Sequence, residues 1–349
     1  MTLINIITRK ISFLAFVFFI FAPFSVVSSQ IVEGRKPRIV VSPHPEITKI
    51  RPKFFNAATG GEDFVEKSIA VVDPKVNIYL CLAKGNLKVT GWERNEIRVF
   101  VSNGSGIGFK IQQKNKQNIP VLLTVTGMDD SKERPVSSPQ GCLSGEDIEL
   151  DVPRGAYLNI KGRTSETTIN SIRKVAVKNV GGDISLSNIE QGISASTYQG
   201  DVVVENSNGA ITLETTNGNI LASNVAPGEI GDIFKVKTTS GAISLQQIEH
   251  RQNEITSNSG SIKFAGGIQN GGQYDFRTQN GTISLAIPEK SSCKINASYG
   301  FGAFNTDLKL DNLIKSNNSS AQSLTASMGT GEATVNLTTY SGSIRLRKQ

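Results

Sequence analysis

Apolar and polar residues alternate along much of this chain. Val76, Ile78, Leu80 and Leu82 occupy every second position, the pattern of a strand with one buried face. The stretch Gly85 to Trp92 turns the chain into a second strand, and Glu96 to Val101 reads as a third. Ile148, Leu150 and Val152 alternate again and stop at Pro153. No helical period with caps at both ends is present, and the nearest candidate, Leu308 to Lys315, is too short to stand as an element. The pattern predicts an all-β protein.

From Gly182 onward the pattern becomes a repeat. Glycines 200, 218, 241, 260, 281 and 342 each follow a hydroxyl three positions earlier: Thr197, Thr215, Thr238, Ser257, Thr278 and Thr339. Directly before each glycine stands Gln199, Asn217, Ser240, Ser259, Asn280 or Ser341. Two positions after stands Val202, Ile220, Ile243, Ile262, Ile283 or Ile344, and four after stands Val204, Ala222, Leu245, Phe264, Leu285 or Leu346. Gly182, with Ile184 and Leu186, fits the second half of the unit. Successive corner glycines from Gly182 to Gly281 are each roughly twenty residues apart, the period of a solenoid unit. The interval from Gly281 to Gly342 is about three times as long and leaves room for three more units.

A glycine preceded by asparagine or serine supplies the positive φ of a tight corner. The apolar residues at +2 and +4 share one face of a strand and require burial. A unit of this length cannot bury that face alone, so neighbouring units must stack. The repeat therefore predicts a parallel β-solenoid, or β-helix-like, domain whose coils lie about 4.8 Å apart. Its hydroxyl column is expected just inside the corner, bonding hydroxyl to hydroxyl along the stack. The alternative is an antiparallel β-sandwich built of hairpins, since Asn-Gly between alternating segments is also a hairpin signal. A turn at Asn280-Gly281 would then pair Phe276 with Leu285, and one at Ser240-Gly241 would pair Val236 with Leu245. Constancy of the unit along the chain favours the solenoid.

The amino-terminal part differs in kind. Arg9 and Lys10 precede an apolar run, Ile11 to Val27, that ends in Ser28-Ser29. A basic start, an apolar stretch and a small-residue exit predict a signal peptide over residues 1–29. Residues 30–67 carry Pro37, Pro43, Pro45 and Pro52 among basic residues and read as a solvated linker. Residues 68–349 form the expected domain, with first strands over 68–155 and repeats over 156–349. After signal cleavage no other stretch is long enough to span a membrane. The expected location is outside the cytoplasm: periplasm, cell surface or extracellular space. In an oxidising compartment Cys81 and Cys142 could pair, or the buried thiols could stay free.

Composition adds little chemistry. The chain carries 33 glycines, one tryptophan and a net charge of +7, which falls to +5 without Arg9 and Lys10. That charge, without a basic stripe interleaved with aromatics, argues against nucleic-acid binding. Asp201, Glu205, Glu214, Asp232, Glu249, Glu254 and Asp275 fall at different positions of the unit and form no catalytic pair. Asp129-Asp130 reads as a solvated turn. His44 lies in the linker and His250 follows Glu249 near a strand end, so no base is placed for a serine nucleophile. Metal-ligand spacings and nucleotide-binding loops are absent from the sequence. The expectation is a protein that is not an enzyme, with no catalytic, cofactor-binding or metal-binding residues and no cofactor.

Thr238 to Leu245, Ser257 to Phe264, Thr278 to Leu285 and Tyr340 to Leu346 together resemble the bacterial family known as "putative adhesin", β-solenoid domains of unknown function. Gly85 to Trp92 is similar to that family's first coil. The resemblance covers about residues 66 to 349 and implies an envelope or extracellular protein with no catalytic residues to carry over. The expected function is an adhesin-like binding or structural role through the solenoid surface, toward a surface glycan, a matrix or an envelope protein. Two alternatives stand beside it: a regulatory or sensory envelope-stress domain, and a carbohydrate-active β-helix enzyme.

Overall fold

The computed structural model describes residues 64–71, 73–114, 120–129, 134–135, 141–317 and 322–349. The expected signal peptide, His44 and the linker up to residue 63 lie outside the described residues, as do Asp130 and parts of the loop around it. Strand structure is present from Phe64.

The first strands are β1 (Phe64–Ala70), β2 (Asn77–Trp92), β3 (Glu96–Ser102), β4 (Gly106–Lys114), β5 (Pro120–Asp129), β6 (Arg134–Pro135) and β7 (Leu143–Pro153). Paired strands follow, one on each side of a corner: β8 (Tyr157–Thr164) with β9 (Thr167–Asn170), β10 (Lys174–Gly181) with β11 (Ile184–Ser187), and β12 (Ile193–Gln199) with β13 (Val202–Asn208). The series continues with β14 (Ile211–Asn217) and β15 (Ile220–Ala226), β16 (Ile233–Ser240) and β17 (Ile243–Ile248), β18 (Gln252–Ser259) and β19 (Ile262–Ala265), and β20 (Gln273–Asn280) and β21 (Ile283–Ile287). The chain closes with β22 (Cys293–Phe301), β23 (Phe304–Thr306), β24 (Asp311–Asn317), β25 (Gln322–Met328), β26 (Ala333–Ser341) and β27 (Ile344–Lys348).

The architecture is an all-β solenoid. Its first sheet runs β5-β2-β8-β10-β12-β14-β16-β18-β20-β26-β22, every neighbour parallel. Its second runs β7-β2-β9-β11-β13-β15-β17-β19-β21-β27-β23, also parallel. Strand β2 bends at Gly85 and serves both sheets. The hairpin alternative fails on register: Phe276 lies beside Ile255 and Leu337, and Leu285 beside Phe264 and Leu346.

Residues at +2 and +4 stack as expected. Ile184, Val202, Ile220, Ile243, Ile262, Ile283 and Ile344 form one buried column; Leu186, Val204, Ala222, Leu245, Phe264, Leu285 and Leu346 form the next. The first sheet contributes Val177, Ala195, Leu213, Val236, Ile255, Phe276 and Leu337. Small Ala222 is followed by larger side chains in its column, and Phe264 meets Phe276 edge-on across the core at 5.5 Å. Burial of each Val, Leu, Ile or Phe in these columns contributes about 1.5–3 kcal/mol.

Each coil also has a third, shorter face. Ile172, Ile189, Ser207, Val225 and Ile248 bury one side chain apiece there. The corner before it is made by Ser171, Asn188, Asn206, Asn224 and Gln247, all at positive φ. Asn188 donates to Asn170 Oδ1 and Asn224 to Asn206 Oδ1, both at 3.1 Å, linking successive coils.

The ends depart from chain order. Strands β5 and β7, later in sequence than β2, lie outside it in the stack. At the other end β26 and β27 lie between the β20–β21 coil and the β22–β23 coil. The span from Gly281 to Gly342 therefore does not hold three further units in series. Gly342 sits directly on Gly281, Gly302 sits on Gly342, and β24 and β25 close the end as antiparallel strands. The segment weighed as a short helix, Leu308 to Lys315, runs into β24. At the opposite end β4 and β6 pair antiparallel with β5, β3 with β7, and β1 with β3. A disulfide joins Cys81 on β2 to Cys142 just before β7, with Cα atoms 4.5 Å apart.

Candidate functional site

The glycine corner combines the strongest structural demand with the most distinctive surface. A Cβ placed on Gly218, Gly241 or Gly260 would lie 1.9 Å from the carbonyl oxygen of the corner glycine one coil earlier. Close approach of backbones is therefore the common requirement. Positive φ is shared by Gly200 and Gly241 but is not a property of every corner glycine.

Inside the corner the hydroxyl column does not bond to itself. Thr197, Thr215, Thr238, Ser257, Thr278 and Thr339 each donate to a corner carbonyl of the preceding coil, that of Gly182, Gly200, Gly218, Gly241, Gly260 or Gly281, at 3.0–3.2 Å. Each corner carbonyl is held by backbone geometry within reach of the hydroxyl of the next coil and takes its one hydrogen. Just past the corner, Asp183 Oδ1 accepts the Asp201 amide at 2.8 Å, Asp201 Oδ1 accepts the Asn219 amide at 2.7 Å, and Asn219 Oδ1 accepts the Ala242 amide at 3.0 Å.

Outside the corner lies a row with no such commitments. The residue two before each corner glycine points outward: Tyr198, Thr216, Thr239, Asn258, Gln279 and Tyr340 succeed one another in the stack. Beside them run Gln199, Asn217, Ser240, Ser259, Asn280 and Ser341, ending on Phe301. Their side chains form no hydrogen bond to another described residue, whereas the rows on either side do. Tyr198 is 54% exposed, Tyr340 63% and Phe301 70%, with the last two packed edge-on at 5.8 Å. Large aromatic faces are thus open to solvent along this hydroxyl and amide row, and beyond Tyr198 the stack continues to the exposed Val180. Sequence reasoning missed this row, although its signal was available at the position two before each corner glycine.

The acids weighed as catalytic groups are dispersed. Glu254 pairs with Lys235 at 3.0 Å, Asp232 Oδ2 accepts the Gly228 and Glu229 amides at 2.8 Å, and Asp275 accepts from Asn336 at 3.0 Å. Among the described residues no three His, Cys, Asp or Glu side chains are gathered as metal ligands. Burial pushes the Cys293 thiol up to about 11, which keeps it protonated and unreactive. A shallow depression of about 200 Å³ lies at the asparagine corner, lined by Arg154, Ser171, Asn188 and Asn206 among others. It offers amides, one guanidinium, the Glu190 carboxylate and the Ser171 hydroxyl, and the last donates to Asn170 and not to Glu190. No helix among the described residues is long and apolar enough to cross a membrane.

Among curated proteins none matches the chain. Two solved structures are similar to it. One is described as a "putative cell adhesion protein" from Clostridium sporogenes, 13% identical, covering 83% of this chain and 100% of that one at a TM-score of 0.20. The other is described as a "putative adhesin" from Parabacteroides merdae, 10% identical, covering 81% of this chain and 95% of that one at a TM-score of 0.26. Residues 69–347, nearly the whole described part, match the Toastrack DUF4097 family, and with the stacked coils described above this places the protein: the chain belongs to the Toastrack DUF4097 family.

Proposed function

We propose that the protein is an exported, non-catalytic binding module that holds a neutral glycan chain along its glycine corner. The observation that carries this reading is the in-register row from Tyr198 to Tyr340, whose hydroxyls and amides have no partner among the described residues. Coils repeat about every 4.8 Å, so the row offers donors and acceptors at regular spacing to a linear polyhydroxylated ligand. Exposed tyrosine faces suit the apolar face of a sugar ring. Many weak contacts of this kind add through multivalency. Export is supported by the basic and apolar leader and by the Cys81–Cys142 bridge, a bond that persists in oxidising compartments.

The test is a glycan and matrix array with the protein lacking residues 1–29, beside the variants Tyr198→Ala and Tyr340→Ala. Binding to a neutral glycan that weakens about tenfold or more in the variants supports the reading, since truncating an aromatic anchor costs more than about 1 kcal/mol. Retention on matrix protein alone, or turnover of a glycan, contradicts it. Cell fractionation that finds the protein in the cytoplasm contradicts the export half.

A further inference from the structure

The coil between Gly218 and Gly241, in the middle of the repeat, is longer than the two before it, which run from Gly182 to Gly200 and from Gly200 to Gly218. Its surplus lies in the return turn after β15. Pro227, Gly228, Glu229, Ile230 and Gly231 are all exposed, and Asp232 ties the turn off by accepting the Gly228 and Glu229 amides. With this turn carried outward, a residue from the following coil reaches inward past it. His250 Nε2 lies 2.8 Å from the carbonyl oxygen of Gly209, one coil before the long turn. The ring is wholly buried and packs on Phe234 at 5.5 Å.

The protonation state follows from the partner. A carbonyl only accepts, so Nε2 carries the hydrogen and Nδ1 is left as a lone pair. Nδ1 is buried without a partner, and so is Asn253 Oδ1, while the Asn253 amide donates to the His250 carbonyl at 2.6 Å. In the neutral ring Nδ1 is an acceptor, as is Asn253 Oδ1, and neither has a donor among the described residues. A second proton would place a cation against Phe234 in a wholly buried position.

We propose that His250 is an acid-sensitive latch: the neutral ring fastens the long coil across its outward turn, and protonation releases the segment from Ala226 to Asn253. The ionisable neighbours are Asp232 on the turn and Glu249 beside the ring. Burial holds His250 below its ordinary 6.5, outweighing the Gly209 carbonyl, Asp232 and Glu249, all of which favour the charged form. A histidine that is neutral when folded binds its proton only on release. The latch is therefore fully closed above the ordinary value and weakens as the pH falls below it.

The chain has two histidines, so the ring signals of His250 and His44 are readily told apart by nuclear magnetic resonance. Titrated with hydrogen exchange on the same sample, His250 in the closed form should stay neutral as the pH falls through its ordinary value. Amides of 226–253 should lose protection about fifteenfold between about pH 6.5 and about pH 5, against little change in 193–217. In His250→Phe that pH dependence should vanish. Overturning results are His250 titrating at or above its ordinary value while 226–253 stays protected, or protection that rises in acid because Asn253 Oδ1 receives the new hydrogen. The wild-type titration decides the matter even if the variant fails to fold.

Discussion

The middle and the ends of this solenoid obey different rules. From β8 to β21, order along the chain is order in space, and each coil repeats the columns of the one before. At the ends that identity is lost: β2 is covered by β5 and β7, and β26–β27 lies beneath β22–β23. A stack of parallel coils must expose an unpaired strand edge and an apolar column at each end. Here a coil placed out of order and antiparallel strands close both ends. The middle is held by repetition and the ends by contacts distant in sequence, which is where one expects the disulfide, Cys81 to Cys142.

The comparison breaks most severely at the corner. Gly218→Ala places a methyl 1.9 Å from the Gly200 carbonyl and should cost more than about 4 kcal/mol, leaving no folded protein in a thermal melt. Gly331→Ala, at an end turn with nothing within 4 Å of the added methyl, should cost about 1–2 kcal/mol for its positive φ alone. Next come buried charges. Ile243→Asp should abolish the cooperative transition, whereas Leu324→Asp on β25 should loosen the terminal strands only, read by proteolysis confined to residues after about 290. Replacing Cys81 and Cys142 by alanine should cost about 2–5 kcal/mol and expose the β3–β5 region to exchange first. The smallest effects belong to single hydrogen bonds: Thr215→Val should lose about 1 kcal/mol and the exposed Ser244→Ala less than about 0.5, separable by chemical denaturation.

What was legible in the sequence was local. Gly200, Ile220 and Leu245 announce corner and columns because each requirement is met within a few residues. The third face was not legible: one buried side chain per coil, Ile189, then Ser207, then Val225, gives no fixed residue type to follow. Its better signal was the evenly spaced run Asn188, Asn206, Asn224, each at positive φ. The partner of the hydroxyl column was misjudged because residue types alone do not show that a corner carbonyl faces each threonine. The place of Gly342 was misjudged because the long interval after Gly281 fits units in series as well as one excursion and return. The candidate binding row escaped for a related reason: Tyr198, Asn258 and Tyr340 share a position but not a chemistry.

Spin labels at Ser284, Asn305 and Arg345 test the stacking order most directly. Ser284 and Arg345 are register partners although far apart along the chain, and Asn305 lies on the far side of Arg345. Dipolar broadening should be strong for the 284–345 pair, one coil or about 5 Å apart at the backbone, and weaker for the 284–305 pair, two coils apart. Stronger coupling between 284 and 305 than between 284 and 345 would mean that the coils stack in chain order to the end, contradicting the arrangement described here.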